Sequence, residues 1–244
     1  MRQITGMSFK RILVKLSGES LMGNDHYGID YNAVSHFAGE IKSVADLGIQ
    51  VGVVIGGGNI FRGIKGAGKG FDRRRGDYMG MMATIINSMA LETVLTEMGM
   101  KVKVLTAMAI EGFGEKIYFK NAVEYLKEGY VVIFGGGTGN PFFTTDSGAA
   151  LRAVEIEADL LLKGTRVDGV YSEDPEKNPQ ALKFDRISYL EAYEKDLGIM
   201  DLTAFTLCKE NNMKLCIYNA NIKGNLRKIV QGENIGTLLS NSER

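Results

Sequence analysis

Short β-branched runs alternate along the chain with longer stretches in which apolar positions recur every three or four residues. The run "KRILVKL" (10–16) predicts a first strand. Asp30 as an N-cap, with Val34, Phe37, Ala38, Ile41, Val44 and Ala45 on one face and Gly48 as a stop, predicts the first helix. A second strand, "IQVGVVI", follows at once. The rhythm continues with a long helix over 74–98, a strand over 101–105, a helix over 119–128 closed by Gly129, a strand over 130–134, an Ala-rich helix over 146–157 and a strand over 158–162. Strand, helix, strand in that order implies right-handed crossovers and a mostly parallel sheet covered on both faces.

Over 165–185 the period breaks down, and Asp-Gly, Asp-Pro and Asn-Pro pairs predict hairpins and turns. Helices near 188–195 and 202–212, a strand over 214–219, a helix over 222–231 and a last strand "GTLLS" complete the pattern. No stretch reads as a linker or an array repeat, so one unit with a C-terminal lobe beginning near 150 is expected.

Charge changes this picture by exclusion. Lys plus Arg and Asp plus Glu number 29 each, so no overall field draws the chain to nucleic acid or an anionic membrane, and the Arg73-Arg74-Arg75 run reads as a solvated face. With 45% hydrophobic residues in 244, material for a core is ample. The N-terminus lacks a signal-like apolar stretch, and no run approaches the roughly 18 apolar residues of a membrane helix, which predicts a cytoplasmic protein. Cys208 and Cys216 are spaced for neither a redox pair nor a zinc site and read as buried reduced thiols. Met79, Met81, Met82 and Met89, interleaved with Ile85 and Ile86, read as core and as a candidate subunit contact.

Candidate chemistry lies at the strand ends. "KLSGES" (15–20), "IGGGNIFRG" (55–63), "FGGGTGN" (134–140) and "LKGTR" (162–166) are four glycine-containing turns expected to open on one edge of the sheet. There, helix N-termini and unpaired amides favour anions, and glycine lets phosphate oxygens approach the backbone. Nothing fits GxxxxGK[ST], and no GxGxxG opens the first helix, so the P-loop and dinucleotide-binding readings fall away. Taken together, the turns favour phosphate binding.

"ILVKLSGES", "GIQVGVVIGGGNIFRG", "GDYMGMMAT", "GTGNPFFTTDSGA", "EIEADLLLKGTRVDGVYSEDP" and "MDLTAF", in that order over most of the chain, resemble the bacterial UMP kinases of the amino acid kinase family. The resemblance implies a three-layer α/β/α sandwich, with a UMP-side lobe of about 1–150 and an ATP-side lobe of about 151–244. It also implies transfer of the ATP γ-phosphoryl group to UMP, Mg²⁺ carried on ATP without a metal ligand of the chain's own, a homohexamer, and GTP and UTP as effectors.

Residue by residue, the resemblance places Lys15, Arg62, Asp146 and Asp201 in the catalytic centre, with Asp201 orienting Lys15. ATP would meet Lys15, Leu16, Ser17, Gly18, Gly58, Arg62, Lys163, Thr165, Tyr171 and Asp174. UMP would meet Gly57, Asp77 and the loop Thr138, Gly139, Asn140, Pro141, Phe142, Phe143, Thr144 and Thr145, which is similar to the uridylate-recognition loop of that family. Gly23, Asn24, Asp25, His26, Tyr27 and Gly28 match an effector-response region by position. Plainer roles stay open for several of these: capping for Thr144, Thr145, Asp146 and Asp201, and dipole complementation for Asp77. Two further readings also stay open, a kinase of the same fold for a carboxylate or carbamate acceptor, and a non-catalytic nucleotide- or anion-binding member.

Overall fold

The computed structural model describes residues 9–61, 72–175 and 177–241. Among these, β1 (Arg11–Leu16), β2 (Gln50–Ile55), β3 (Val102–Thr106), β4 (Glu115–Lys116), β5 (Val131–Gly135), β6 (Leu160–Thr165), β9 (Arg186–Ser188), β10 (Leu215–Asn219) and β11 (Thr237–Ser240) form one sheet in the order β4-β3-β5-β2-β1-β6-β10-β11-β9. Every pairing is parallel except β10 with β11. A separate antiparallel hairpin joins β7 (Val170–Tyr171) to β8 (Lys183–Phe184), in the segment where turn pairs cluster.

Strands covered on both faces need apolar residues at successive positions, which is why the central runs are continuous. In β1, Ile12, Val14 and Leu16 enter one core while Leu13 enters the other. The first core lies under α1 (Tyr31–Ala45), α2 (Arg73–Glu97) and α7 (Asn225–Val230). The second lies under α3 (Phe119–Lys127), α4 (Thr145–Glu155), α5 (Tyr189–Glu194) and α6 (Leu202–Glu210). Three layers result, as expected.

Local signals set most helix starts. Asp30 accepts a hydrogen bond from the Ala33 N–H, Thr144 from Asp146 and Ser147, Ser188 from Glu191, and Asp201 from Ala204. Two expectations move. The last helix starts at Asn225 rather than 222, because Gly224 adopts φ 86° immediately before it. In "LKGTR", β6 runs through Thr165, so Gly164 lies inside the strand, where a Cβ would sit 2.8 Å from that of Ala220.

The methionine-rich helix divides. Met81 and Ile85 are buried, whereas Met79, Met82, Ile86 and Met89 form an exposed stripe at helical spacing. By length and composition alone α2 could cross a membrane, contrary to the expectation from uninterrupted apolar runs; half of its most apolar window is packed inside the fold.

Candidate active site

Because β5, β2, β1 and β6 are parallel neighbours, their C-terminal ends share one edge of the sheet, where the glycine turns collect. Two of their glycines are required by packing. A Cβ on Gly18 would lie 2.4 Å from the Gly56 carbonyl oxygen, and one on Gly57 would lie 2.7 Å from the Gly80 carbonyl oxygen of α2. The turns after β1 and β2 thus meet backbone to backbone, a packing constraint that stands beside phosphate access as a reason for glycine.

Helix α2 secures two of these turns through polar side chains on its buried face. Asn87 donates to the Gly56 carbonyl at 2.7 Å and exchanges hydrogen bonds with Asn59, while Thr84 accepts from the Gly136 N–H at 2.8 Å. All three side chains are buried. None was singled out from the sequence. The available signal was two polar residues, one helical step apart, on the apolar face of a long helix.

The charged centre follows from strand register. Period 2 puts Leu13 and Lys15 of β1, and Leu161 and Lys163 of β6, on the face under α4, and the parallel pairing sets Lys15 beside Lys163. At the start of α4, Asp146 lies over both: Oδ1 is 2.8 Å from Lys15 Nζ, and Oδ2 is 2.6 Å from Lys163 Nζ. Lys163 also donates to the Ile199 carbonyl. Burial opposes ionisation of Asp146, but the two ammonium groups outweigh it and hold its pKa below the usual carboxylate range. Burial also lowers the pKa of Lys163; Asp146 opposes this, while neighbouring Lys15 adds to it. Both shifts run downward: at Lys163 burial, aided by Lys15, outweighs Asp146 and Asp201, whereas at Asp146 the two cations outweigh burial.

The contact expected between Asp201 and Lys15 belongs instead to Asp146. Asp201 caps α6 through the Ala204 N–H at 3.0 Å and accepts from Ser147 Oγ at 2.9 Å and from Thr144 Oγ1. It therefore ties α6 to the start of α4, which fixes where Asp146 points.

Three cavities line this edge. One of about 470 Å³ is bounded by Lys163, Thr165, Tyr171, Asp174 and Ile199, bringing together the expected adenine-side residues. A second, of about 640 Å³, joins Lys15, Ser17, Lys163 and Thr165 to Gly23, Asn24 and Arg166. The third, of about 230 Å³, is lined by Gly57, Gly58, Asp77, Thr138, Asn140, Phe142, Phe143, Thr144 and Thr145. Gly58, expected toward ATP, therefore shares the wall of the third cavity with Gly57.

Other expected residues stand apart from these walls. Leu16 is buried in the core, offering the site only its backbone. Gly139 donates to the Gly136 carbonyl within the loop, and neither it nor Pro141 lines the third cavity. In the 23–28 segment, Gly28 exchanges hydrogen bonds with Asn59, while Asp25, His26 and Tyr27 are exposed. Arg62 lies outside the described residues. Among those residues no three His, Cys, Asp or Glu side chains gather as a metal-ligand set.

A parallel sheet whose strand ends carry two facing lysines, a bridging aspartate and amide-rich turns defines an anion-handling α/β protein. The amino acid kinase family matches residues 10–219, and the chain belongs to it. It is 58% identical over 233 residues to the uridylate kinase of Parabacteroides distasonis, covering 96% of this chain and 99% of that one. It is 57% identical over 235 residues to the uridylate kinase of Porphyromonas gingivalis, covering 96% and 98%. Among solved structures, the UMP kinase of Bacillus anthracis superposes with a TM-score of 0.93 at 38% identity, covering 96% of this chain and 97% of that one. The uridylate kinase of Archaeoglobus fulgidus superposes with a TM-score of 0.72 at 31% identity, covering 94% and 99%.

Proposed function

We propose that this protein is a UMP kinase that transfers the γ-phosphoryl group of ATP in line to a phosphate oxygen of UMP, giving UDP and ADP. The observation that carries this reading is the Lys15–Asp146–Lys163 cluster between two kinds of cavity. On one side lie Asp77 and the 138–145 loop; on the other lies the hairpin region with Thr165, Tyr171 and Asp174. Identity of 57–58% to uridylate kinases over 96% of the chain supports UMP as the acceptor and weighs against carboxylate or carbamate.

A phosphate monoester has a second pKa of about 6, so the attacking oxygen is already ionised at neutral pH and no general base has to remove a proton. Repulsion is the main obstacle: like unit charges about 4 Å apart cost roughly 4 kcal/mol at an effective dielectric of about 20. Lys15 and Lys163 oppose that cost, and the Ser17 and Gly57 turns add backbone amides. Arg62 is assigned to the facing phosphates for its forked geometry. Asp77 is assigned to the ribose hydroxyls and Thr138–Thr145 to the base and phosphate. Tyr171 and Asp174 are assigned to the adenosine of ATP.

Mg²⁺ is assigned to the ATP phosphates, where it would neutralise charge; it commonly binds through substrate phosphates with few protein ligands. Asp146, already engaged by two ammonium groups, is suited to holding those lysines. The lining of the cavities supports a UMP side within about 1–150 and an ATP side drawn mainly from 151–244. The exposed stripe of Met79, Met82, Ile86 and Met89 supports self-association through α2, with a homohexamer as the assigned state. A GTP response is assigned to 23–28, UTP is assigned as a second effector without a segment, and the compartment is the cytoplasm.

An acceptor panel of UMP, CMP, dUMP, carbamate and glutamate, with Mg-ATP and a coupled assay for ADP, tests this reading. UMP should be the preferred acceptor. Phosphorylation of carbamate or glutamate in its place, or nucleotide binding without ADP release, overturns it.

A further inference from the structure

The arginine run at the start of α2 is not uniform. All three arginines are exposed; Arg74 pairs with Asp72 at 3.1 Å, whereas Arg73, its side chain 55% exposed, also lines the wall of the third cavity. Its guanidinium carbon stands 5.3 Å from the centroid of the Phe142 ring, and its Nε lies 3.8 Å from Asp77 Oδ2. That same Asp77 oxygen accepts the Phe142 N–H at 2.8 Å. Phe142 holds φ 74°, a left-handed conformation that bulky side chains rarely adopt, so its backbone is kept there by its surroundings. One cation, one carboxylate and one aromatic residue thus join two separate elements, the first turns of α2 and the 138–143 turn.

We propose that Arg73 and Phe142 form a clasp that positions Asp77 and the 138–143 turn for the nucleoside part of the acceptor, an inference that rests on the UMP kinase reading. A carboxylate has two oxygens. With Oδ2 given to the Phe142 N–H and drawn toward Arg73, Oδ1 is presented to a ribose hydroxyl, and the turn that meets the base is set in the same step. Arg73 is a positioning residue, acting through Asp77 and Phe142 rather than on the transferred group.

The test uses the full chain, four single variants, Arg73→Gln, Arg73→Lys, Phe142→Leu and Arg75→Gln as the control, and the Arg73→Gln/Phe142→Leu double variant. It measures the KM for UMP, the inhibition constant of uridine, the KM for ATP, kcat and the melting temperature. Arg73→Gln should weaken both UMP and uridine by a similar factor, roughly three- to tenfold, with kcat and the ATP constant within about twofold. Arg73→Lys should recover part of the loss, since an ammonium also sits over a ring. The Arg73→Gln/Phe142→Leu double variant should lose clearly less than the sum of the singles, because the two substitutions share the ring contact. Arg75→Gln should match wild type.

If UMP weakens while uridine does not, Arg73 reads the phosphate directly and the clasp is wrong. Unchanged constants, or additive losses in the double variant, overturn it equally. Should Arg73→Gln lower the melting temperature enough to confuse the reading, the conservative Arg73→Lys decides the question: partial recovery of both UMP and uridine binding supports the clasp, and no recovery at wild-type melting temperature overturns it. Absence of UMP turnover by the wild type removes the parent reading, and that result is separate from all of these.

Discussion

Replacing Asp146 with Asn tests the centre most directly, because it removes charge and little volume. The carboxylate stands 2.8 Å from one ammonium and 2.6 Å from the other, and its side chain is 14% exposed. At an effective dielectric of about 20, each such contact is a Coulomb attraction of roughly 6 kcal/mol before desolvation is subtracted. Removing one partner of a buried pair typically costs about 3–5 kcal/mol, since the charge left behind is uncompensated. Here two like charges are left facing each other. A loss of about 3 kcal/mol in holding both lysines against the migrating phosphoryl group corresponds to roughly a hundredfold in rate.

The prediction is therefore a fall in kcat of at least about two orders of magnitude, with the UMP constant changed far less. In the pH profile, the alkaline limb should move to lower pH, because Lys163 loses the anion that favours its charged form. Stability gives an independent sign. Asp146 has its folded pKa below its unfolded value, so its stabilisation is present above the unfolded value, about 4, and is lost as pH falls through the folded one. The wild type should therefore lose melting temperature on acidification in that window more steeply than the variant. Steady-state kinetics from neutral to alkaline pH and thermal melts from pH 7 downward measure both. A variant with near-normal kcat and an unmoved alkaline limb would refute the bridging role.

Three other outcomes follow from packing and capping. Gly18→Ala brings a methyl 2.4 Å from the Gly56 carbonyl oxygen, so the turns must part; a loss of about 1–3 kcal/mol is expected in chemical denaturation, together with a weaker ATP constant. Thr144→Val removes the cap of α4 and the link to Asp201, and should cost about 1 kcal/mol in the same assay while lowering kcat. Burial raises the thiol pKa values of Cys208 and Cys216 to about 12, so a thiol reagent at neutral pH should label neither until denaturant is added. Prompt labelling of the native protein would contradict that burial.

Much of the fold was legible because its signals are local. β-branched runs marked the central strands, and Asp30, Thr144 and Asp201 marked helix starts through short-range hydrogen bonds. The strand-end glycines marked one shared edge of the sheet, since parallel order sends all those ends the same way. The Arg73-Arg74-Arg75 run is exposed, as expected, but sequence offered no sign that Arg73 stands over Phe142, for the partner lies 69 positions away, the difference between 142 and 73. Thr84 and Asn87 looked like ordinary helix residues until the turns they hold came within reach.

By itself, the order of residues determined the alternation of elements, the layered class and the edge where chemistry collects, because backbone preference and apolar period act over a few neighbours. Which charges meet was decided only in three dimensions. Lys15 and Lys163 are 148 residues apart, 163 less 15, and become neighbours through strand register alone. Asp146 and Asp201 divide their duties according to which helix start each caps or overlies, and no local pattern encodes that choice.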